Sequence, residues 1–249
     1  MKTEMYERMY SLETQHWWFR GKRDIVFSLA QPFLNVQPRP KLIDFGCGCG
    51  AMLNELTSYG EVLGVDYSDV SLMFCRKRFS GDTKKLDLSI PVEPWEQFDF
   101  GVALDILEHI ENDDVAAQNI CALLRDGGHC IVTVPAYQWL WTAHDENCMH
   151  KRRYSKRQLM ELLQKANLVV DYISYYNCVL FPVAVVVRLF SRLFRVDKDS
   201  SIENHFRDSW LNQTLYLVFT AEKKRISARR HFPFGLSLIA LAHKPYKDD

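Results

Sequence analysis

Residues 41–50 read Lys-Leu-Ile-Asp-Phe-Gly-Cys-Gly-Cys-Gly, and no other stretch restricts the fold of this chain as tightly. An apolar run of strand character carries an acid, Asp44, and runs into three glycines at alternate positions, Gly46, Gly48 and Gly50. A helix-like segment, residues 51–59, follows. Glycine reaches φ > 0 without a Cβ penalty and lets backbone approach a ligand. A helix start just beyond the turn leaves N–H groups without intrahelical partners. Strand, glycine turn and helix in that order predict a ligand cradle at the carboxyl end of the first strand of an α/β sheet.

Two cofactor classes use such a cradle. Read as G-x-G-x-x-A, Gly46, Gly48 and Ala51 match the dinucleotide fingerprint, and Asp66 stands 20 residues beyond Gly46, where a ribose-binding acid belongs. Read as D-x-G-x-G-x-G, the same residues resemble motif I of class I S-adenosylmethionine (SAM) methyltransferases. Asp44 favours the second reading. SAM carries an ammonium and a sulfonium, which a carboxylate attracts, whereas a pyrophosphate is repelled.

Further segments resemble that family in the same order. Residues 61–66, Glu-Val-Leu-Gly-Val-Asp, read as a second strand ending in an acid, and Ser68 or Asp69 can cap the helix over 69–79. A short third strand ends near Leu86-Asp87-Leu88. Residues 98–110 contain the fourth strand and D-x-L-E-H-I; residues 125–135 resemble the family's Gly-Gly, fifth strand and proline. The resemblance implies that Cys47 lies in the cofactor turn with the glycines and that Asp66 accepts the ribose hydroxyls, with Tyr67 beside it. Asp87 then meets the adenine amino group, the Leu88 N–H meets a ring nitrogen, and Asp105 lines the cofactor site. A rival reading makes Asp105 the cap of the next segment.

The chain has 249 residues, 31 bases and 31 acids, and 47% hydrophobic residues. That suits a globular domain. The charge balance argues against a nucleic-acid-binding surface. No apolar run has the length of a membrane span, and the amino terminus lacks a signal peptide's apolar core. Seven scattered cysteines, without a Cys-x-x-Cys pair, read as reduced thiols of a cytoplasmic protein.

Strand and helix signals alternate from residue 41 to about 176, the mark of a parallel sheet covered on both faces. The expected fold is a Rossmann-like seven-stranded sheet. Its last strands lie near 169–176 and 236–242, the seventh antiparallel as in the family. The division expected is a helical cap (1–40), a SAM-binding core (41–176), a helical insert (177–235), and the last strand with its tail (236–249). The cap carries His16-Trp17-Trp18-Phe19-Arg20-Gly21-Lys22-Arg23, which resembles the opening of a bacterial and archaeal branch of these enzymes. By that resemblance the cap closes over SAM and a basic residue meets its carboxylate. Arg23 is the first candidate and Arg20 the second, because a guanidinium fits a carboxylate. Trp18 is a candidate substrate contact. In the insert, Arg188, Arg192 and Arg195 share one helical face with Ser191, opposite Val186, Val187, Leu189, Phe190, Leu193 and Phe194. Such a helix can be a lid, a homodimer contact or a peripheral membrane contact.

Residues 144–155 resemble the family's segment over the acceptor side of the cleft. His144 or His150 can serve as base, since imidazole exchanges its proton near neutrality. Arg152, Arg153 and Tyr154 can hold an anionic or sugar-like acceptor, with His109 shaping the cleft. Asp105, Glu108 and His109 resemble the E-x-x-E-H metal site of some O-methyltransferases. The aspartate departs from that pattern, so the expectation is transfer without a metal. The reading is a SAM-dependent methyltransferase acting on a small-molecule, sugar or lipid-linked acceptor and binding no nucleic acid. A non-catalytic SAM-binding partner subunit and an NAD-linked oxidoreductase are the rivals.

Overall fold

The computed structural model describes residues 3–194 and 210–246, with side chains described for 6–188 and 210–246. Two helices open the chain, α1 (Thr3–Leu12) and α2 (Trp17–Leu34). The alternating core follows as β1 (Lys41–Phe45), α3 (Ala51–Leu56), β2 (Glu61–Asp66), α4 (Asp69–Arg78), β3 (Asp82–Lys85) and β4 (Phe98–Leu104). It continues as α5 (Asp113–Leu123), β5 (Leu124–Pro135), α6 (Ala143–Asn147), α7 (Lys156–Lys165) and β6 (Val169–Tyr176). The insert supplies α8 (Phe181–Phe194), α9 (Trp210–Thr220) and α10 (Lys223–Ser227), and β7 (Ser237–His243) closes the sheet.

The seven strands run in the order β3-β2-β1-β4-β5-β7-β6. β7 is antiparallel to both β5 and β6, and the other pairings are parallel. This is the expected Rossmann-like sheet. The winding reverses between β1 and β4, so a crevice opens there beyond the carboxyl ends of the strands. Residues 42–45 and 238–242 are buried without alternation because helices cover both sheet faces. Ser68 caps α4 by accepting from the Ser71 N–H, and Ser155 and Gln158 form a capping box on α7. The third strand ends at Lys85, just before the expected Leu86–Leu88, which form the loop leaving the sheet.

The cap and the insert share one core with the sheet. Ile25, Val26 and Leu29 of α2 pack with Leu42, Val102, Ile131 and Ile239 of the strands and with Phe219 and Ile226 of the insert. Gly21 permits this approach, since a Cβ there would lie 2.4 Å from Phe219 Cδ1. Asn212 of α9 accepts from the Trp17 N–H at 2.8 Å and donates to the Gln15 carbonyl at 3.0 Å.

The arginine face foreseen for α8 is oriented inward at the one position described. Arg188 Nη1 donates to the Leu140 carbonyl at 3.1 Å, while Val183, Val186 and Val187 are 61%, 52% and 50% exposed. The remaining members of both faces, Leu189–Arg195, lie outside the described side chains.

Candidate functional site: the crevice above β1, β2 and β4

The turn after β1 is shaped by its glycines. Gly46, Gly48 and Gly50 have φ of 73°, 55° and 85°, a region costly for L side chains. A Cβ on Gly46 would lie 2.7 Å from Ile106 Cδ1, so this turn abuts the segment after β4. Cys47 is buried beside Gly64, its thiol filling space under the turn. Asp44 is 3% exposed. Burial pushes its pKa up to about 8, and the nearby carboxylates of Glu13 and Asp66 add to the shift.

Asp66 ends β2 and is itself buried. Its carboxylate accepts from the Gly48 N–H at 3.1 Å, the Ser68 N–H at 2.9 Å and Ser71 Oγ at 3.1 Å. Desolvation raises its pKa. Those bonds use three of about four acceptor positions of a carboxylate and knit the glycine turn to the start of α4. Tyr67 is exposed next to it. Asp87 is exposed and accepts from Ser89 N–H and Oγ at 2.8 and 2.7 Å, while Leu88 is buried. Asn119 of α5 fixes that loop, donating to the Leu88 and Ile90 carbonyls and accepting from the Val92 N–H. Nothing in its sequence context marked Asn119 beyond being a polar residue on an apolar helix face.

The cap lies over the crevice. Tyr6 of α1 is buried, and the Tyr6 carbonyl accepts from the Cys49 thiol at 3.6 Å. The cations arrive differently from the expectation. Arg23 is bound to Glu55 Oε1 at 2.6 Å and to the Glu13 carbonyl, and Arg20 lies over the Tyr216 ring. The base that reaches the crevice is Lys22, whose Nζ donates to Asp105 Oδ2 at 2.7 Å. Lys22 and Trp18 sit one helical turn apart on the face of α2 turned toward the sheet. Trp18 is stacked on Phe219 and Tyr176, with ring centroids 5.1 and 6.2 Å away, so it anchors the cap.

Asp105 follows β4 with φ 53°, a left-handed conformation that a non-glycine residue rarely holds. Thr133 of β5 secures it twice: the Thr133 carbonyl accepts from the Asp105 N–H, and Thr133 Oγ1 donates to Asp105 Oδ1 at 2.8 Å. Burial opposes its ionisation, but Lys22 beside it holds the carboxyl below its usual value. Asp105 therefore faces the crevice and caps no helix; α5 begins only at Asp113.

One turn on, Glu108 is fully buried and neither carboxylate oxygen has a hydrogen-bond partner among the described residues. Burial, and then the Asp105 charge, push its pKa well up. The His109 and His150 rings meet edge to face at 4.6 Å, and ligand atoms of Glu108, His109 and His150 lie within 4.8 Å of one another. Burial, and then His150, lower the His109 pKa to about 4, leaving a neutral imidazole. These three residues could hold a divalent cation; the sequence-based triad had Asp105 in place of His150.

His150 Nδ1 lies 2.9 Å from Asp145 Oδ1. Asp145 is fully buried, yet His150 and Arg153 keep it ionised against the cost of burial. A carboxylate can only accept here, so in the neutral ring His150 Nδ1 carries the proton and Nε2 the lone pair. His144 is exposed on α6, with Nε2 3.6 Å from Cys148 Sγ. The arginine–tyrosine group serves internal partners. Arg153 makes bonds of 2.8 and 3.0 Å to Asp145 and one of 3.2 Å to the Ala136 carbonyl. Tyr154 is buried with its hydroxyl donating to Asp113, and Arg152 pairs with Asp113 at 2.6 Å. Their packing braces the loop that carries His150.

The crevice thus gathers backbone donors, buried carboxylates and one lysine, a donor set that fits a ligand with cationic and zwitterionic groups. Comparison with known proteins agrees. A family profile describing a methyltransferase domain matches residues 15–173. Ubiquinone biosynthesis O-methyltransferases of Bradyrhizobium diazoefficiens and Sinorhizobium medicae are 25% and 26% identical over 104 and 98 residues. The aligned parts cover 40% and 37% of this chain, and 41% and 40% of those relatives, so the chain spans about two fifths of their length. Among solved structures, a methyltransferase in complex with the Haloferax volcanii Trm112 methyltransferase activator superposes with a TM-score of 0.63 at 15% identity. That alignment covers 99% of this chain and 96% of the other. Phosphoethanolamine N-methyltransferase 2 of Haemonchus contortus, solved with SAM, gives a TM-score of 0.56 at 18% identity, covering 90% of this chain and 52% of that one. At such identities the likeness is one of fold.

Proposed function

The chain belongs to the methyltransferase-domain family, and on that premise we propose that it transfers a methyl group from SAM to a small-molecule, sugar or lipid-linked acceptor. Bound in the crevice, SAM would supply an already activated methyl carbon. Lys22 would hold the carboxylate of its amino-acid part, Asp44 would favour its positive charge, and Asp66 and the Leu88 backbone would hold the nucleoside. The acceptor would lie between the turn after β4 and the loop of His150. Much of the rate would come from alignment. His150 would take the acceptor proton at Nε2, with Asp145 fixing the tautomer and the ring.

One observation carries the catalytic reading over a non-catalytic SAM-binding subunit. The buried Asp145 orients the partly buried His150 ring, which meets His109 of the segment after β4, an arrangement that binding alone does not require. An oxidoreductase has no such support, and the methyltransferase-domain match over residues 15–173 runs against it. Radiolabelled methyl transfer from SAM to a panel of phenolic, sugar and lipid-linked acceptors tests the reading. Transfer by the wild type and its loss in His150→Ala, with SAM still bound, is the expected result.

The unpartnered Glu108 carboxylate favours a second form of the same reading, in which Glu108, His109 and His150 hold a divalent cation that orients a hydroxyl acceptor. Activity abolished by chelator and restored by Mg²⁺ or Zn²⁺ selects this form. Activity indifferent to chelator selects the base. The insert is proposed to wall the acceptor side and to meet a second copy of the chain. Phe181 supports the wall, packing on Tyr137, Trp139 and Phe234, and the outward valines of α8 support the second contact.

A further inference from the structure

The cap places a carboxylate where the sequence reading foresaw none. Glu13 follows α1 and is 8% exposed. Its two oxygens face different ways. Oε2 pairs with Arg78 Nη1 of α4 at 2.5 Å, on the outer side of the turn. Oε1 points into the turn, accepting from the Cys49 N–H at 3.3 Å and lying 3.2 Å from where a Cβ of Gly48 would be. Arg78 also donates to the Tyr10 carbonyl and lies 4.2 Å from the Tyr10 ring centroid, so the pair locks α1 to α4.

The surrounding charges do not balance. Arg78 is matched by Glu13, Arg23 by Glu55 and Lys22 by Asp105. Those three ion pairs leave Asp44 and Asp66, neither within ion-pair distance of a base among the described residues. Both are buried, and buried charge left uncompensated is costly. Burial chiefly raises the pKa of Glu13, Asp44 and Asp66 alike, which disfavours their charged forms. A cation bound there would offset that cost.

Resting on the methyltransferase reading above, we propose that Glu13 is a specificity-determining residue of the cofactor site, whose carboxylate makes the chamber over the glycine turn prefer the sulfonium methyl donor to its uncharged thioether product. The chemistry supplies the difference. The acceptor's electron pair forms the new bond to the methyl carbon, the S–CH₃ bond breaks, and its electron pair returns to sulfur. Sulfur loses its positive charge, and the proton displaced from the acceptor goes to the base. SAM is a net monocation at neutral pH, whereas S-adenosylhomocysteine (SAH) is a neutral zwitterion. A chamber with surplus negative charge separates the two and favours product release.

Isothermal calorimetry with SAM and SAH on the full-length protein tests this without reference to turnover. In the wild type, SAM binding at pH 7.5 is expected to release protons, read as a binding heat that varies with the ionisation heat of the buffer; SAH binding should release fewer. Glu13→Gln keeps an oxygen for the Cys49 N–H and removes the charge. It is expected to weaken SAM about tenfold and to leave SAH within about twofold. Equal loss for both ligands, or no change for either, overturns the proposal and leaves Glu13 as a latch. Should Glu13→Gln melt below the assay temperature, the same titrations are run below its melting point, where loss for SAM alone supports the proposal and equal loss for both ligands, or no change for either, overturns it. A folded wild type that binds neither ligand fails earlier, at the methyltransferase reading, and takes this inference with it.

Discussion

In the segment after β5, the buried Asp145 holds the His150 ring at Nδ1, while His144 stands exposed on α6. Asp44 and Asp66 close strands at positions set by the glycine turn, so spacing alone marks them. Glu13 and Lys22 reach the site only through the docking of α1 and α2, a long-range contact that no local pattern encodes. Arg23 was favoured for its guanidinium, but helical geometry turns it toward Glu55 and leaves Lys22 facing the crevice. His150 and His144 were indistinguishable in sequence, and a buried Asp145 separates them. His150→Ala is therefore expected to lower kcat by roughly 10²–10⁴-fold, the usual contribution of a positioned base, with little change in SAM affinity. His144→Ala should leave kcat within about threefold of wild type on the same scale, measured in the same steady-state assay.

Asp44 carries a second prediction at this scale. Its pKa is raised to about 8 in the folded protein, against an ordinary aspartate value of 3.8. Between those values the native state holds a proton that the unfolded chain has released. Stability therefore falls as pH rises from about 4 to about 8, in the cofactor-free protein. Binding a cation reverses the preference, so SAM affinity should climb over the upper part of the same window. Asp44→Asn should flatten both trends. Thermal melts and SAM titrations at pH 6, 7 and 8 measure them; unchanged slopes in the variant would remove Asp44 from the cofactor site.

At the scale of elements, the strand positions and the helix caps followed closely from the sequence. β1 and β2 fall where their apolar runs predict, and Ser68 and Ser155 cap the helices they precede. The insert helix was read as a lid, a homodimer contact or a peripheral membrane contact, and here sequence reasoning stopped short. Phe219 looks like one apolar residue among several, yet it is fully buried between Trp17, Trp18 and Tyr176. The insert thus holds the helix that delivers Lys22. Gly21→Ala drives a methyl into the Phe219 ring and should cost about 1–3 kcal/mol. Phe219→Ala should cost about 3–5 kcal/mol through the cavity it leaves. Chemical denaturation measures both. In addition, both variants should weaken SAM binding, although neither residue faces the crevice. Loss of stability with SAM affinity intact would mean that the cap is positioned by α1 alone.

At the scale of the whole molecule, the remaining question is what covers α8. On α8, Val183, Val186 and Val187 recur at spacings of three and one and are at least half exposed, as is Val179 in the turn before the helix. That spacing puts the three helical valines along one stripe. Arg188 and Phe181 on the opposite side are spent on the loop after β5. An apolar stripe of this kind is typical of a surface that meets another molecule. The sequence signalled the amphipathic character of this helix but not its orientation, because hydropathy alone puts the apolar side against protein. Among the described residues no helix is long and apolar enough to cross a membrane. The exposed bases of α10 and the following turn, Lys223, Lys224, Arg225, Arg229 and Arg230, would also suit an anionic surface. The valines and these bases lie on different elements, so the two partners separate by substitution. A self-associating chain should show a mass that rises with concentration in light scattering. Val183→Asp with Val187→Asp should hold it at the monomer mass and leave SAM affinity unchanged. A wild type that stays monomeric at all concentrations, yet floats with anionic liposomes and loses flotation when the five bases are replaced, would transfer the surface from a second subunit to a bilayer.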